Sequence, residues 1–208
     1  MTDAVRVWDP LVRIFHWGLV AAFATAWLTA DELQPLHEIF GYIVAGLIAF
    51  RILWGLFGSR YARFTQFLRG PGTTVRYLSD ALRGREARYL GHNPAGAVMI
   101  VAILLTLSGT AFTGWLIADP SRQALQPELP PIVTTAQADE DEYGESGERG
   151  GEREEVLEEM HEVFANLMLF LIALHLGGVA FASVRHRENL AHAMVTGRKR
   201  PPEPGDIA

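Results

Sequence analysis

The sequence predicts an all-α membrane protein, a bundle of four transmembrane helices, on three observations. Charge and hydropathy are segregated: 20% of the 208 residues are charged, yet mean hydropathy is +0.12, because apolar residues collect in four long runs and charge in the segments between them. Each run holds about twenty apolar positions, enough to cross a hydrocarbon core of about 30 Å. Basic residues crowd into the segments that four spans would place on one side of a membrane.

The first run covers about residues 11–30, opens at Trp8-Asp9-Pro10 and contains Arg13 and His16. A secretory signal is the competing reading of an N-terminal apolar run, but no small-residue cleavage site leads here into a soluble domain. After the polar break Asp31-Glu32-Leu33-Gln34-Pro35 the second run, about 36–57, starts beside His37 and carries Gly41, Gly46 and Arg51. An arginine-rich connector follows, within which Thr73 to Leu82 suits a short amphipathic helix lying on a membrane surface. The third run, about 94–118, has a proline in its first turn, where a missing N–H costs nothing, and His92 just outside it. Its Thr106, Ser108, Thr110 and Thr113 can bond back to helix carbonyls, so the run still reads as a span.

Residues 119–159 form a long acidic loop whose middle is too poor in apolar residues to offset the cost of ordering, so part of it is expected to be disordered. Its end, from Glu152, runs as helix into the fourth span, about 160–183, which contains His161 and His175. Residues 1–201 then make one domain, with 202–208 a short tail.

Four spans put both termini on one side, and flanking positive charge says which. The connector carries Arg60, Arg63, Arg69, Arg76, Arg83, Arg85 and Arg88, and the C-terminal segment adds Arg185, Arg187, Arg198, Lys199 and Arg200. The opposite long loop has Arg122, Arg149 and Arg153 against thirteen acids. The termini are therefore expected in the cytoplasm and the acidic loop outside, with lipid around the spans. The net charge of −6 averages these opposed blocks and gives no reason to expect nucleic acid as a partner. The absence of cysteine excludes disulfides, thiolate metal sites, iron–sulfur clusters and covalent c-type haem attachment.

Histidine carries the chemistry. From His161 to His175 is fourteen residues, which at about 100° and 1.5 Å per residue is roughly 40° short of four turns and an advance of about 21 Å. Both imidazoles thus share one helix face near its two ends. Topology gives the others their depth: His16 lies near the cytoplasmic level, with His175, and His37 near the outer level, with His161. Two levels with two neutral nitrogen donors each, from facing helices, match two bis-histidine b-type haems. Any single histidine could instead be a hydrogen-bonded packing residue, and zinc is the main competing metal, but its usual site gathers three or four ligands at one level. Gly18, Gly41, Gly46, Gly177 and Gly178 leave room for a flat macrocycle or, equally, for close helix packing. Arg13 and Arg51, at the cytoplasmic level, suit haem propionates or snorkel to lipid phosphates. His92 suits a propionate or quinone contact, or a plain interfacial position.

The segments Val7-Trp8-Asp9-Pro10-Leu11-Val12-Arg13-Ile14-Phe15-His16-Trp17, Leu36-His37-Glu38-Ile39-Phe40-Gly41-Tyr42 and Gly91-His92-Asn93-Pro94-Ala95-Gly96-Ala97, with the His161 and His175 pair, resemble the bacterial cytochrome b561 family, which includes the cytochrome b subunits of nickel–iron hydrogenases. The resemblance implies a four-helix bundle holding two b haems, with His16 and His175 on the inner iron and His37 and His161 on the outer one. It names neither donor nor acceptor, which differ among members; the leading expectation is electron transfer between a quinone and a periplasmic redox protein. The acidic loop suits a basic partner, a small c-type cytochrome or a hydrogenase-like subunit. Two other readings stand beside it. Small family members oxidise superoxide at the outer face and pass the electron to quinone, although an acidic face repels that anion. In a non-redox membrane anchor, the histidines would merely pack.

Overall fold

The computed structural model describes residues 4–119 and 148–207, in which four helices are long and apolar enough to cross a membrane. They are α1 (Pro10–Thr29), α2 (Gln34–Phe57), α5 (Pro94–Ile117) and α6 (Glu148–Arg185). Between α2 and α5 lie α3 (Phe64–Phe67) and α4 (Pro71–Leu82); after α6 comes α7 (Leu190–Thr196). A two-stranded antiparallel sheet joins β1 (Val5–Arg6) to β2 (Arg198–Lys199). The loop expected to be partly disordered falls mostly on 120–147, outside the described residues.

Local chemistry sets the helix starts. Asp9 caps α1 by accepting from the Val12 N–H at 3.0 Å, with Pro10 in the first turn. Asn93 does the same for α5, accepting from Gly96 N–H at 2.7 Å, ahead of Pro94. The Asp9 carboxylate also accepts from Trp54 Nε1 at 3.3 Å and from the Ser59 hydroxyl, which ties the start of α1 to the end of α2. Burial raises its pKa, but the hydrogen bonds from Ser59, Val12 and Trp54 outweigh that and hold it below the usual carboxylate value.

Backbones pack most closely within the hairpins α1/α2 and α5/α6; α2 against α5 joins the hairpins, while α6 stands off from α1 and α2. At mid-height Ala22, Val44, Ile48, Leu107 and Met168 bring all four helices together. The outward surface is apolar, with Phe57 80% and Val184 81% exposed. Contiguous apolar surface of that kind needs lipid around it.

The end bearing the termini is closed by a polar cap. α7 stops at Gly197, whose φ of +79° is the left-handed conformation a helix C-cap requires. The Gly197 carbonyl accepts from Val7 and Trp8 N–H at 2.9 and 3.1 Å, setting the β1/β2 pairing. Residues 202–207, read from the sequence as a short tail, fold back on the connector: Leu90 N–H donates to the Ile207 carbonyl and Ile207 N–H to that of Arg88, both at 2.9 Å. Arg88 donates to Glu188 through Nη2 at 2.8 Å and Nε at 3.2 Å, and to Asp206 through Nη1. Lys199 Nζ lies 3.9 Å from Glu188.

This network makes the cap acid-sensitive. Burial raises the Glu188 pKa, but bonds from Arg88 and the Arg200 N–H, with the charge of Lys199, lower it further and leave it net depressed. The stability contributed by a depressed carboxylate is present above its unfolded pKa and lost as pH falls through the folded value. Hydrogen-exchange protection in residues 186–207, taken relative to the intrinsic exchange rate at each pH, is expected to hold from neutral pH to about pH 4.5 and to fall below it. Glu188→Gln, lacking the titrating group, should flatten that profile.

Candidate functional site

The helices bring the histidines into two pairs. The rings of His16 (α1) and His175 (α6) have centroids 6.4 Å apart; those of His37 (α2) and His161 (α6) are 6.0 Å apart. Both pairs bridge the gap where α6 stands off from the α1/α2 hairpin. Met168, seven residues from each α6 histidine, belongs to the core cluster and separates the two levels.

An iron between two imidazoles, with metal–nitrogen bonds of about 2 Å and about 1.1 Å more to each ring centre, puts the centroids roughly 6 Å apart. The observed separations fit that span and are too long for direct hydrogen bonding between the rings. A Cβ added at Gly41, Gly46, Gly177 or Gly178 would meet nothing within 4 Å, leaving open space for a planar group; at Gly18 it would come 3.9 Å from Leu47. Among the described residues no cluster of three or more His, Asp or Glu side chains could hold a metal ion.

Tautomers at the His37 level are set by neighbours. α1 ends at Thr29, so the Ala26 carbonyl belongs to the four that a helix leaves unpaired at its C-terminus. His37 Nδ1 lies 2.9 Å from it. A carbonyl only accepts, so Nδ1 carries a proton, and in the neutral ring Nε2 is the nitrogen whose lone pair could meet a metal. His161 Nδ1 lies 3.0 Å from Thr113 Oγ1. At the other level, His16 Nδ1 is buried with no hydrogen-bond partner.

The remaining sequence candidates sit at the cap end. Arg13 Nη1 donates to the Val195 carbonyl at 2.5 Å, fastening α1 to α7. Arg51 is 3% exposed, donates to the Ala62 carbonyl at 3.1 Å and lies 4.9 Å from the Phe64 ring centroid; it is turned inward and does not snorkel. His92 packs between Trp8 and Phe67, at centroid distances of 4.5 and 4.6 Å. Burial first, then the nearby positive charges of Arg51 and Lys199, push its pKa down to about 3, so it is neutral at physiological pH. Sequence reading missed Thr113, Asp9 as a hub and the Arg88 cluster; of these only Asp9-Pro10 carried a local signal, that of a helix start.

Four apolar helices with two levels of facing imidazoles are the arrangement expected of a membrane-embedded cytochrome b. The chain belongs to the prokaryotic cytochrome b561 family, whose sequence profile matches residues 7–197. Searches of curated proteins and of solved structures found no match. Membership makes it an integral membrane protein of electron transfer that binds b-type haem.

Proposed function

We propose that this chain carries electrons across the bacterial inner membrane between a quinone and a periplasmic redox protein, using two bis-histidine b haems. The two ring pairs at 6.4 and 6.0 Å, spanned by the length of α6, are the observation that carries this reading. The haem irons supply one-electron chemistry when bound. His16 and His175 hold one group and His37 and His161 the other. Ala26 and Thr113 aim the imidazoles of the second pair, and the core around Leu107 and Met168 excludes water between the levels. The basic residues at the cap end favour a cytoplasmic position for the termini and cap. Glu154, Glu155, Glu158, Glu159 and Glu162, all exposed at the opposite end of α6, favour a basic partner such as a c-type cytochrome, by long-range attraction that salt weakens.

Purified protein is expected to contain two b haems per chain by pyridine haemochrome assay, with a reduced spectrum of b-type bands and no c-type band. A ratio of one, or no haem at all, overturns the reading.

A further inference from the structure

Thr113 is 2% exposed and lies on α5 against His161. We propose that Thr113 is a positioning residue that locks His161 in the Nδ1-protonated tautomer and so sets the reduction potential of the haem at the His37/His161 level; this rests on the haem reading above. Proton accounting carries the argument. The Thr113 hydroxyl has one hydrogen, and two carbonyls stand ready for it, Gly109 at 2.9 Å and Thr110 at 3.0 Å. Carbonyls only accept, so the hydroxyl donates to its own helix and offers a lone pair to His161 Nδ1 at 3.0 Å. Nδ1 then donates, the Thr110 carbonyl, also within hydrogen-bonding reach of His161, favours the same tautomer, and in the neutral ring Nε2 is left bare.

The neighbouring glycine sets how closely α5 approaches. A Cβ added at Gly114 would stand 3.0 Å from His161 Cε1 and 3.3 Å from Nδ1, tighter than ordinary van der Waals contact. Gly114 thus lets the α5 backbone close on the imidazole, and Thr113 gives the ring its direction. His37 is fixed in the same sense by the Ala26 carbonyl, whereas His16 Nδ1 has no partner. The two levels consequently differ: one has both ligands polarised through Nδ1, and the other has a ligand that is not. A hydrogen bond accepted from Nδ1–H makes the imidazole a stronger donor to iron, which favours the ferric state and lowers the potential.

The test is a redox titration of the full-length chain carrying both haems, followed optically and by EPR. In Thr113→Val one of the two midpoint potentials should rise and the other stay, because Nδ1–H loses the hydroxyl oxygen while side-chain volume is nearly kept. Thr113→Ser keeps the oxygen and should return the potential toward the unmutated value. Loss of the haem at this level in Thr113→Val but not in Thr113→Ser also supports the assignment. Unchanged potentials in Thr113→Val, or a Thr113→Ser protein as perturbed as Thr113→Val, overturn it. Failure of the underlying haem reading would show separately, as a missing haem in the unmutated protein.

Discussion

Replacing His161 by alanine is expected to halve the haem content, from two per chain to one, and to leave the haem held by His16 and His175 spectrally unchanged. The expectation follows from separation: about 21 Å of helix lies between His161 and His175, and Met168 with its neighbours fills the bundle between the levels. Alanine is the best helix former, so α6 should persist and the loss be local. With the imidazole gone, His37 remains as one ligand on its side of the gap, still bonded to Ala26, and a single axial ligand should not retain a b haem through purification. His37→Ala should reproduce the effect, whereas His16→Ala and His175→Ala should remove the other haem. Haemochrome stoichiometry and EPR of each variant make the check. Retention of two haems in His161→Ala, or loss of both from a protein that still elutes as a folded monodisperse species, would contradict the pairing.

The juxtaposition of the histidine pairs is legible in the sequence, because it needs only hydropathy, charge and helix period. Hydropathy places the spans to within a few residues of α1, α2 and α5, and the fourteen-residue spacing puts His161 and His175 on one face. What was not legible depends on how one helix meets another. Thr113 reads from sequence as a hydroxyl bonded to its own helix, and so it is; that its oxygen also faces His161 depends on the α5/α6 contact made possible by Gly109 and Gly114, whose added Cβ atoms would press on Phe164 and His161. From sequence, Arg51 suits phosphate or propionate equally. Its direction is decided by Phe64 and the Ala62 carbonyl in a connector that sequence could only describe as basic. Arg88 is one of seven arginines in the connector, and nothing local marks it apart from the rest, since its partners lie 100 and 118 residues away.

Removing that arginine is expected to have the largest effect on the cap. Arg88→Met leaves the carboxylates of Glu188 and Asp206, 7% and 9% exposed, without their main counter-charge, and breaking a buried ion pair from one side costs about 3–5 kcal/mol. Lys199, 3.9 Å from Glu188, offsets part of it, which places the expectation near the lower end of that range. The loss should be felt locally, as faster hydrogen exchange across 186–207 and in the connector around Leu90, because the membrane helices keep their own contacts. It should also travel one step further. The same cap carries the Val195 carbonyl that holds Arg13 and the Gly197 carbonyl that holds Trp8, and Arg13 is one helical turn from His16. Loosening the cap should therefore broaden the EPR signal of the His16/His175 haem and leave that of the His37/His161 haem sharp. Replacing all three charges by apolar residues, Arg88→Met with Glu188→Leu and Asp206→Leu, removes the unpaired carboxylates and should recover most of the lost protection. If the single variant exchanges like the unmutated protein, the cap is held by β1/β2 and α7 alone, and the buried charges contribute nothing to its stability.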